Sequence, residues 1–278
     1  MEKSELIRWG LIIGIPLFLL LFYKFILRVF FGLVIIPENR IGLVTKKFVL
    51  FGKQELPEGH IIATNGEAGY QAQTLPPGVY FWKWIWQYSI TFQPFVIIPT
   101  GKLGLIMARD GAELETGAIL GRKVECDTYQ NAEAFLKNGG RKGRQTDIIA
   151  PGSYRINSYL FEVEITDLVS IPDNAVGVIT TMEGKPLEEG KIAGKIIDDH
   201  NKFQDADKFL DSGGYKGLQE QVILAGSYFL NPWFVKLELV KMTEIPIGHV
   251  GVVISYVGDE GKDLSGVEFK PGIGTNHW

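Results

Sequence analysis

Chemistry needs reactive side chains brought close together, and few of those in this chain are spaced to meet. Its four histidines, His60, His200, His249 and His277, lie tens of residues apart, and none stands at metal-ligand spacing from another. Asp198 and Asp199 beside His200 have the types for acid–base work or a weak cation site. The residues 74 positions earlier are Val124, Glu125 and Cys126, so a solvated loop is expected instead. Cys126 is the single cysteine, which excludes an intrachain disulfide and any multi-cysteine metal site. No base or oxyanion device accompanies it, and a free thiol is expected. Ser153 and Ser227 each follow a glycine without the Gly-x-Ser-x-Gly elbow and read as turn residues. No dinucleotide or Walker pattern occurs, so the glycines read as turn devices rather than phosphate cradles. The expectation is a protein that is no enzyme, with no catalytic, cofactor-binding or metal residues.

Composition narrows the partners. At 278 residues with 46% hydrophobic and 22% charged residues, the chain can bury real cores. A formal net charge of -4 gives no drive towards nucleic acid. The 33 glycines and 13 prolines are scattered, which favours many short strands over long helices.

The elements that could position anything begin with an anchor. From Trp9 to Tyr23 no residue is charged, and Phe25 to Phe31 continue the apolar run around Lys24 and Arg28. Fifteen helical residues reach only about 22 Å, short of the roughly 30 Å hydrocarbon core, so a spanning helix extends through both cations. Four residues apart, they snorkel from one face to the headgroups. Pro16 bends the axis at a cost a membrane helix tolerates. Trp9 and Tyr23 are placed at the two interfaces. A cleaved signal peptide is the rival, but no small-x-small site follows. A buried soluble helix is disfavoured because the run is apolar all round. Lys3 and Arg8 precede the span and Lys24, Arg28 and Arg40 follow it, a bias towards a cytoplasmic body over a periplasmic one.

A repeat organises the rest. Ile36-Pro37 leads to Ile41-Gly42, Ile98-Pro99 to Leu103-Gly104, Ile171-Pro172 to Val176-Gly177, and Ile245-Pro246 to Val250-Gly251. A second phrase sets Gln71 before Gly78 and Tyr80, Gln145 before Gly152 and Tyr154, and Gln219 before Gly226 and Tyr228. The glutamines and tyrosines step by 74 residues, whereas Pro37 to Pro99 is 62. What the first unit lacks is the stretch Asn131 to Lys137, matched by Asp205 to Leu210, which reads as a short helix stopped by a Gly pair. Phe161, Val163 and Ile165, and likewise Val235, Leu237 and Leu239, alternate as the buried face of a strand. Each Ile-Pro proline is placed at a strand start, and each Pro-Gly or Ala-Gly pair before a tyrosine at a turn. Trp82, Trp84 and Trp86 alternate, so three indoles share a strand face: core packing in the first instance, or a membrane-surface contact. Arg141, Lys142 and Arg144 read as a solvated basic loop. The organisation is 1–33 a transmembrane anchor, 34–97 a first β unit without a helix, 98–170 and 171–244 a second and third, and 245–278 the start of a fourth, truncated before its end.

An N-terminal membrane helix followed by such units resembles the leading half of long bacterial SPFH (band 7, flotillin-like) proteins, and the units resemble the β-repeats of the major vault protein. The resemblance implies a mainly β chain with short helices, in small sandwich- or barrel-like repeats of about 74 residues after one transmembrane helix. It implies a single-pass protein of a bacterial inner membrane and a homo-oligomer of many copies, in a ring or cage organising or enclosing membrane proteins such as a membrane protease within a microdomain. It also implies an SPFH domain to follow. The alternative is a monomeric membrane-displayed binding module or adhesin, and a third class, a tethered hydrolase, has no nameable nucleophile and base.

Overall fold

The computed structural model describes residues 3–50 and 55–254. The apolar N-terminal run forms one helix, α1 (Lys3–Phe30), with Pro16 inside it. Its segment Ile12–Phe30 is long and apolar enough to cross a bilayer: 19 residues rise about 28 Å.

The first unit holds β1 (Val34–Ile36), β2 (Arg40–Lys46), β3 (Ile62–Ala63), β4 (Gly69–Leu75), β5 (Gly78–Tyr80) and β6 (Tyr88–Pro94). The second holds β7 (Val96–Ile98), β8 (Lys102–Ala108), α2 (Ala132–Lys137), β9 (Gly143–Ile149), β10 (Gly152–Tyr154) and β11 (Phe161–Asp167). The third holds β12 (Val169–Ile171), β13 (Ala175–Thr181), α3 (Ala206–Asp211), β14 (Gly217–Leu218), β15 (Gly226–Tyr228) and β16 (Val235–Lys241). One plan recurs. The strand after the Ile-Pro phrase is central, flanked as β4-β2-β6, β9-β8-β11 and β14-β13-β16, with a two-stranded ribbon beside it: β1-β5, β7-β10 and β12-β15. Pairing between these strands is antiparallel except for β3 on β4, and isolated parallel bridges such as Gly121 to Gln145 and Gly194 to Gln219 add to the later units.

The sheets are open, which corrects the expected architecture. None closes into a barrel, and the chain is a mixed α and β assembly of small antiparallel sheets rather than a row of sandwich- or barrel-like units. Two to four strands of two to seven residues cannot satisfy the tilt and stagger of a barrel. The short helices instead cover sheets across the unit boundaries, α2 packing on β4 and α3 on β9.

The Ile-Pro phrase has a packing reason. A Cβ on Gly42, Gly104 or Gly177 would stand 2.6, 2.6 or 2.7 Å from the Cδ1 of Ile36, Ile98 or Ile171, so each isoleucine lies directly on its glycine. These glycines are close-approach positions inside strands, not turns as their neighbours suggested. Pro37, Pro99 and Pro172 precede the strands and open turns, their carbonyls accepting from the N–H of Arg40, Lys102 and Ala175. Pro246 does the same for His249, and Gly251 would meet Ile245 at 2.6 Å, so the fourth phrase keeps both local contacts although residues 246–254 form no strand. The tyrosines brace their turns: Tyr80, Tyr154 and Tyr228 donate to the carbonyls of Pro76, Ala150 and Leu224. Gly78 and Gly226 take φ of 151° and 147° there, open to glycine and strained for other residues.

The short helices stand one residue from where the pattern put them. Asn131 and Asp205 are their N-caps, accepting from the N–H of Ala134 and Lys208. Each is preceded by a feature the sequence did not announce. Asp127, Thr128 and Tyr129 take φ of 52°, 51° and 62°, and Asn201, Lys202 and Phe203 take 47°, 54° and 65°. Three successive left-handed residues cost roughly 1–2 kcal/mol each. With this backbone Tyr129 and Phe203 lie in the core, each 1% exposed, against Phe135 and Phe209.

The cores cross the unit boundaries. Ile62 and Ala72 of the first unit share one core with Tyr129, Phe135 and Phe161 of the second, and Leu120 of the second shares another with Phe203, Phe209 and Phe234 of the third. The outer strands are buried only where they begin. Phe161 and Val235 are inside, but Ile165 and Leu239 are exposed, against the expectation of a fully buried face.

Candidate membrane interface and unit junctions

Each later unit grips its predecessor with a carboxylate and an amide. Asp110, two residues beyond β8, accepts from the N–H of Ile61 and Ile62 at 2.7 and 2.8 Å, from His60 Nδ1 at 2.8 Å and from Gly111. Glu183, two residues beyond β13, accepts from Ile119 and Leu120, both at 3.0 Å. Asn157 Nδ2 donates to the carbonyls of Gln71 and Ala72, and Asn231 Nδ2 to those of Gln145 and Thr146, all four bonds at 2.9–3.1 Å. Around them Tyr159 packs on Tyr70, and Trp233 lies under the Arg144 guanidinium. Arg144 is therefore a junction residue rather than part of a solvated loop. Gln71, Gln145 and Gln219 each tie down two carbonyls of their own unit's glycine bend. Burial pushes the Asp110 carboxyl up, but the Ile61 and Ile62 N–H groups, His60 and the Gly111 N–H outweigh it and hold its pKa below the ordinary range.

The first unit presents the same face to the end of α1. Its counterpart of Asn157 and Asn231 is Trp84, since the carbonyls of all three accept from the residues three and four ahead: Gln87 and Tyr88, Leu160 and Phe161, Phe234 and Val235. Trp84 Nε1 donates to the carbonyl of Phe30, the last residue of α1, at 3.1 Å. The Trp82 and Lys83 N–H groups reach the Phe31 and Gly32 carbonyls at 2.9 and 3.0 Å. The counterpart of Asp110 and Glu183 is Phe48, stacked on Trp86. Aromatic groups thus replace the polar clasp where the preceding element is an apolar helix.

The three indoles lie on the loop between β5 and β6, not on a strand face, because Trp82 turns left-handed with φ 61°. They still gather: ring centroids are 5.6 Å apart for Trp82–Trp84 and 5.4 Å for Trp84–Trp86. Trp82 is 62% exposed, and Phe30, Phe31, Phe81 and Trp86 are exposed around it. Tyr23, Lys24 and Arg28 line a cavity of about 600 Å³ between the end of α1 and the first sheet. Trp9 lies in α1 with its side chain outside the described residues.

The remaining candidates have structural partners. His200 is buried, accepts from the Phe203 N–H at Nδ1 and meets Gln221 Oε1 at Nε2, 3.0 Å away. It holds the left-handed turn in place. Cys126 is buried at the matching position, and burial pushes its thiol pKa up. Among the described residues no group of three His, Cys, Asp or Glu could hold a metal ion. His277 lies outside the described residues. Asn157, Asn231, Asp110 and Glu183 were missed by the motif reading, although Asn157 and Asn231 stand 74 residues apart and could have been found by the same offset.

Compared with known proteins, the chain matches no family model and no curated protein. The resemblance to SPFH, flotillin-like and vault proteins is therefore withdrawn: it rested on phrases that here serve local packing in open sheets, and no homologue supports it.

Proposed function

We propose that this chain is a membrane-anchored, non-catalytic scaffold whose copies associate laterally into a large ring or cage that organises or encloses other membrane proteins, with its body on the cytoplasmic side. The observation that carries the reading is a row of like edges. Strands β6, β11 and β16 each pair on one side only, among the described residues, and each carries an exposed apolar residue at its fifth position: Phe92, Ile165 and Leu239. All three stand opposite a repeat glycine, Gly42, Gly104 or Gly177. Unpaired seven-residue edges with apolar side chains invite pairing, and a second copy offers edges in the same order. Clasped junctions favour a stiff row, which is what a wall requires. Support for a non-catalytic role is that His200, Cys126 and Asp110 are engaged in holding turns and junctions.

The test is the mass and shape of the protein extracted from its native membrane in mild detergent, by native sizing and electron microscopy. A many-copy ring or cage is expected, and Phe92→Lys with Ile165→Lys and Leu239→Lys should reduce it to single copies with the fold intact. A monodisperse monomer from the unaltered chain would overturn the reading in favour of a displayed binding module.

A further inference from the structure

The cavity beside the end of α1 lies where the second unit keeps its helix. Tyr88 opens β6 as Phe161 opens β11, and Phe161 is covered by Tyr129 and Phe135 at ring distances of 5.3 and 4.9 Å. The first unit has no such helix among its described residues, and Tyr88 and Ile90 face the cavity instead. Its walls bring together four cations, Lys24, Arg28, Lys47 and Lys83, from three separate parts of the chain, and no Asp or Glu. None of the four takes part in an ion pair among the described residues. Lys47 is fixed at the wall by its bond to the Ile85 carbonyl, 2.8 Å, and the half-buried Lys83 lies 4.8 Å from the Tyr88 ring centre. Burial, with Lys46 nearby, pushes the Lys83 ammonium pKa down, the direction an anion beside it would reverse.

Lys24 and Arg28 belong to the last two turns of the spanning segment, which puts the cavity at the headgroup level of one leaflet. Its remaining walls are largely apolar, from α1 and β6. A volume of about 600 Å³ suits one headgroup with the start of its chains.

We propose that this cavity binds the phosphate-bearing headgroup of one anionic phospholipid, with Lys47 and Lys83 on the protein side and Lys24 and Arg28 on the membrane side of the phosphate. The lipid then takes the place that α2 and α3 fill in the later units, and seals the first unit against the membrane. The inference does not rest on lateral assembly, and its test leaves unaltered Phe92, which lines the cavity as well as the β6 edge.

The test uses the full chain in mild detergent, stripped of lipid and titrated separately with phosphatidylglycerol, phosphatidylcholine and inorganic phosphate under native mass spectrometry. One phosphatidylglycerol per chain is expected, held at least tenfold more tightly than phosphatidylcholine. Lys47→Gln with Lys83→Gln should weaken it roughly tenfold or more, whereas Lys47→Arg with Lys83→Arg should keep it. Should the glutamine pair not fold, Lys83→Met alone carries the same expectation at a smaller loss. Equal retention of the two lipids, or no loss in the folded neutral variants, overturns the proposal. Inorganic phosphate binding as tightly as the lipid would make the site one for a soluble anion and also overturn it.

Discussion

The leading face of the first unit and those of the second and third are built on one plan and meet different neighbours. Asn157 and Asn231 reach buried carbonyls of a preceding sheet, while Trp84 reaches the carbonyl of Phe30 at the end of the apolar helix α1. Asp110 and Glu183 receive backbone N–H groups where the Phe48 ring stacks on an indole. The difference teaches that the frame fixes where a unit grips, and the side chain at that point is matched to what it meets, the edge of a sheet or the end of an apolar helix.

The sharpest break in that comparison is Asn231→Ala. It strands the Gln145 and Thr146 carbonyls and the Trp233 N–H at a buried site, and should cost about 3 kcal/mol in urea unfolding, against about 1 kcal/mol for Trp84→Phe, which loses one bond. Equal costs would mean that the two faces do not differ in kind.

Asp110→Asn should cost about 2 kcal/mol, since a neutral amide accepts more weakly from Ile61 and Ile62. Because the Asp110 pKa is depressed in the fold, its contribution is present above the ordinary value of 3.8 and is lost as pH falls through the lower folded value. Acid unfolding followed by fluorescence should show the variant less sensitive to pH in that window than the unaltered chain.

The second and third units also differ from each other, in ways that smaller effects can probe. Thr128→Gly and Lys202→Gly should each stabilise by about 1 kcal/mol, because glycine removes the Cβ penalty of φ near 50°. Failure of both in thermal unfolding would mean that the turns carry little strain. Smallest is Tyr129→Phe. The Tyr129 hydroxyl is buried without a partner among the described residues, and the third unit already carries Phe203 there, so the change should be neutral or stabilising by up to about 1 kcal/mol.

Much of this frame was legible in residue spacing. The apolar run gave α1, and Ala132, Phe135 and Leu136 at helical spacing before a Gly pair gave α2. Gly140 shows why that pair is more than a stop: a Cβ there would lie 2.6 Å from the Phe135 ring. The open sheets were not legible, because strand alternation is the same in a barrel and in a three-stranded sheet. The left-handed turns escaped because Thr128, Lys202 and Phe203 have no local preference for φ above zero; the aromatic burial beyond them imposes it. The clasp residues escaped for a different reason. Asn157 and Asp110 look like ordinary loop residues until the preceding unit's carbonyls and N–H groups are beside them. The cavity cations were visible only in part, since Lys47 and Lys83 meet Lys24 and Arg28 through tertiary structure alone.

Ile36, Val44 and Leu75 give the first unit a small core of its own, but the core around Ile62 and Ala72 is closed by Tyr129, Phe135 and Phe161, so that side stands open when the unit's last strand leaves the ribosome. It must wait for some seventy further residues of translation, and the second unit waits in turn for Phe203, Phe209 and Phe234. Synthesis therefore runs one unit ahead of folding, with the newest apolar surface always facing the emerging chain. A pause in elongation after residue 97 would leave that surface bare, and a stalled product of that length should be the species that chaperones hold longest.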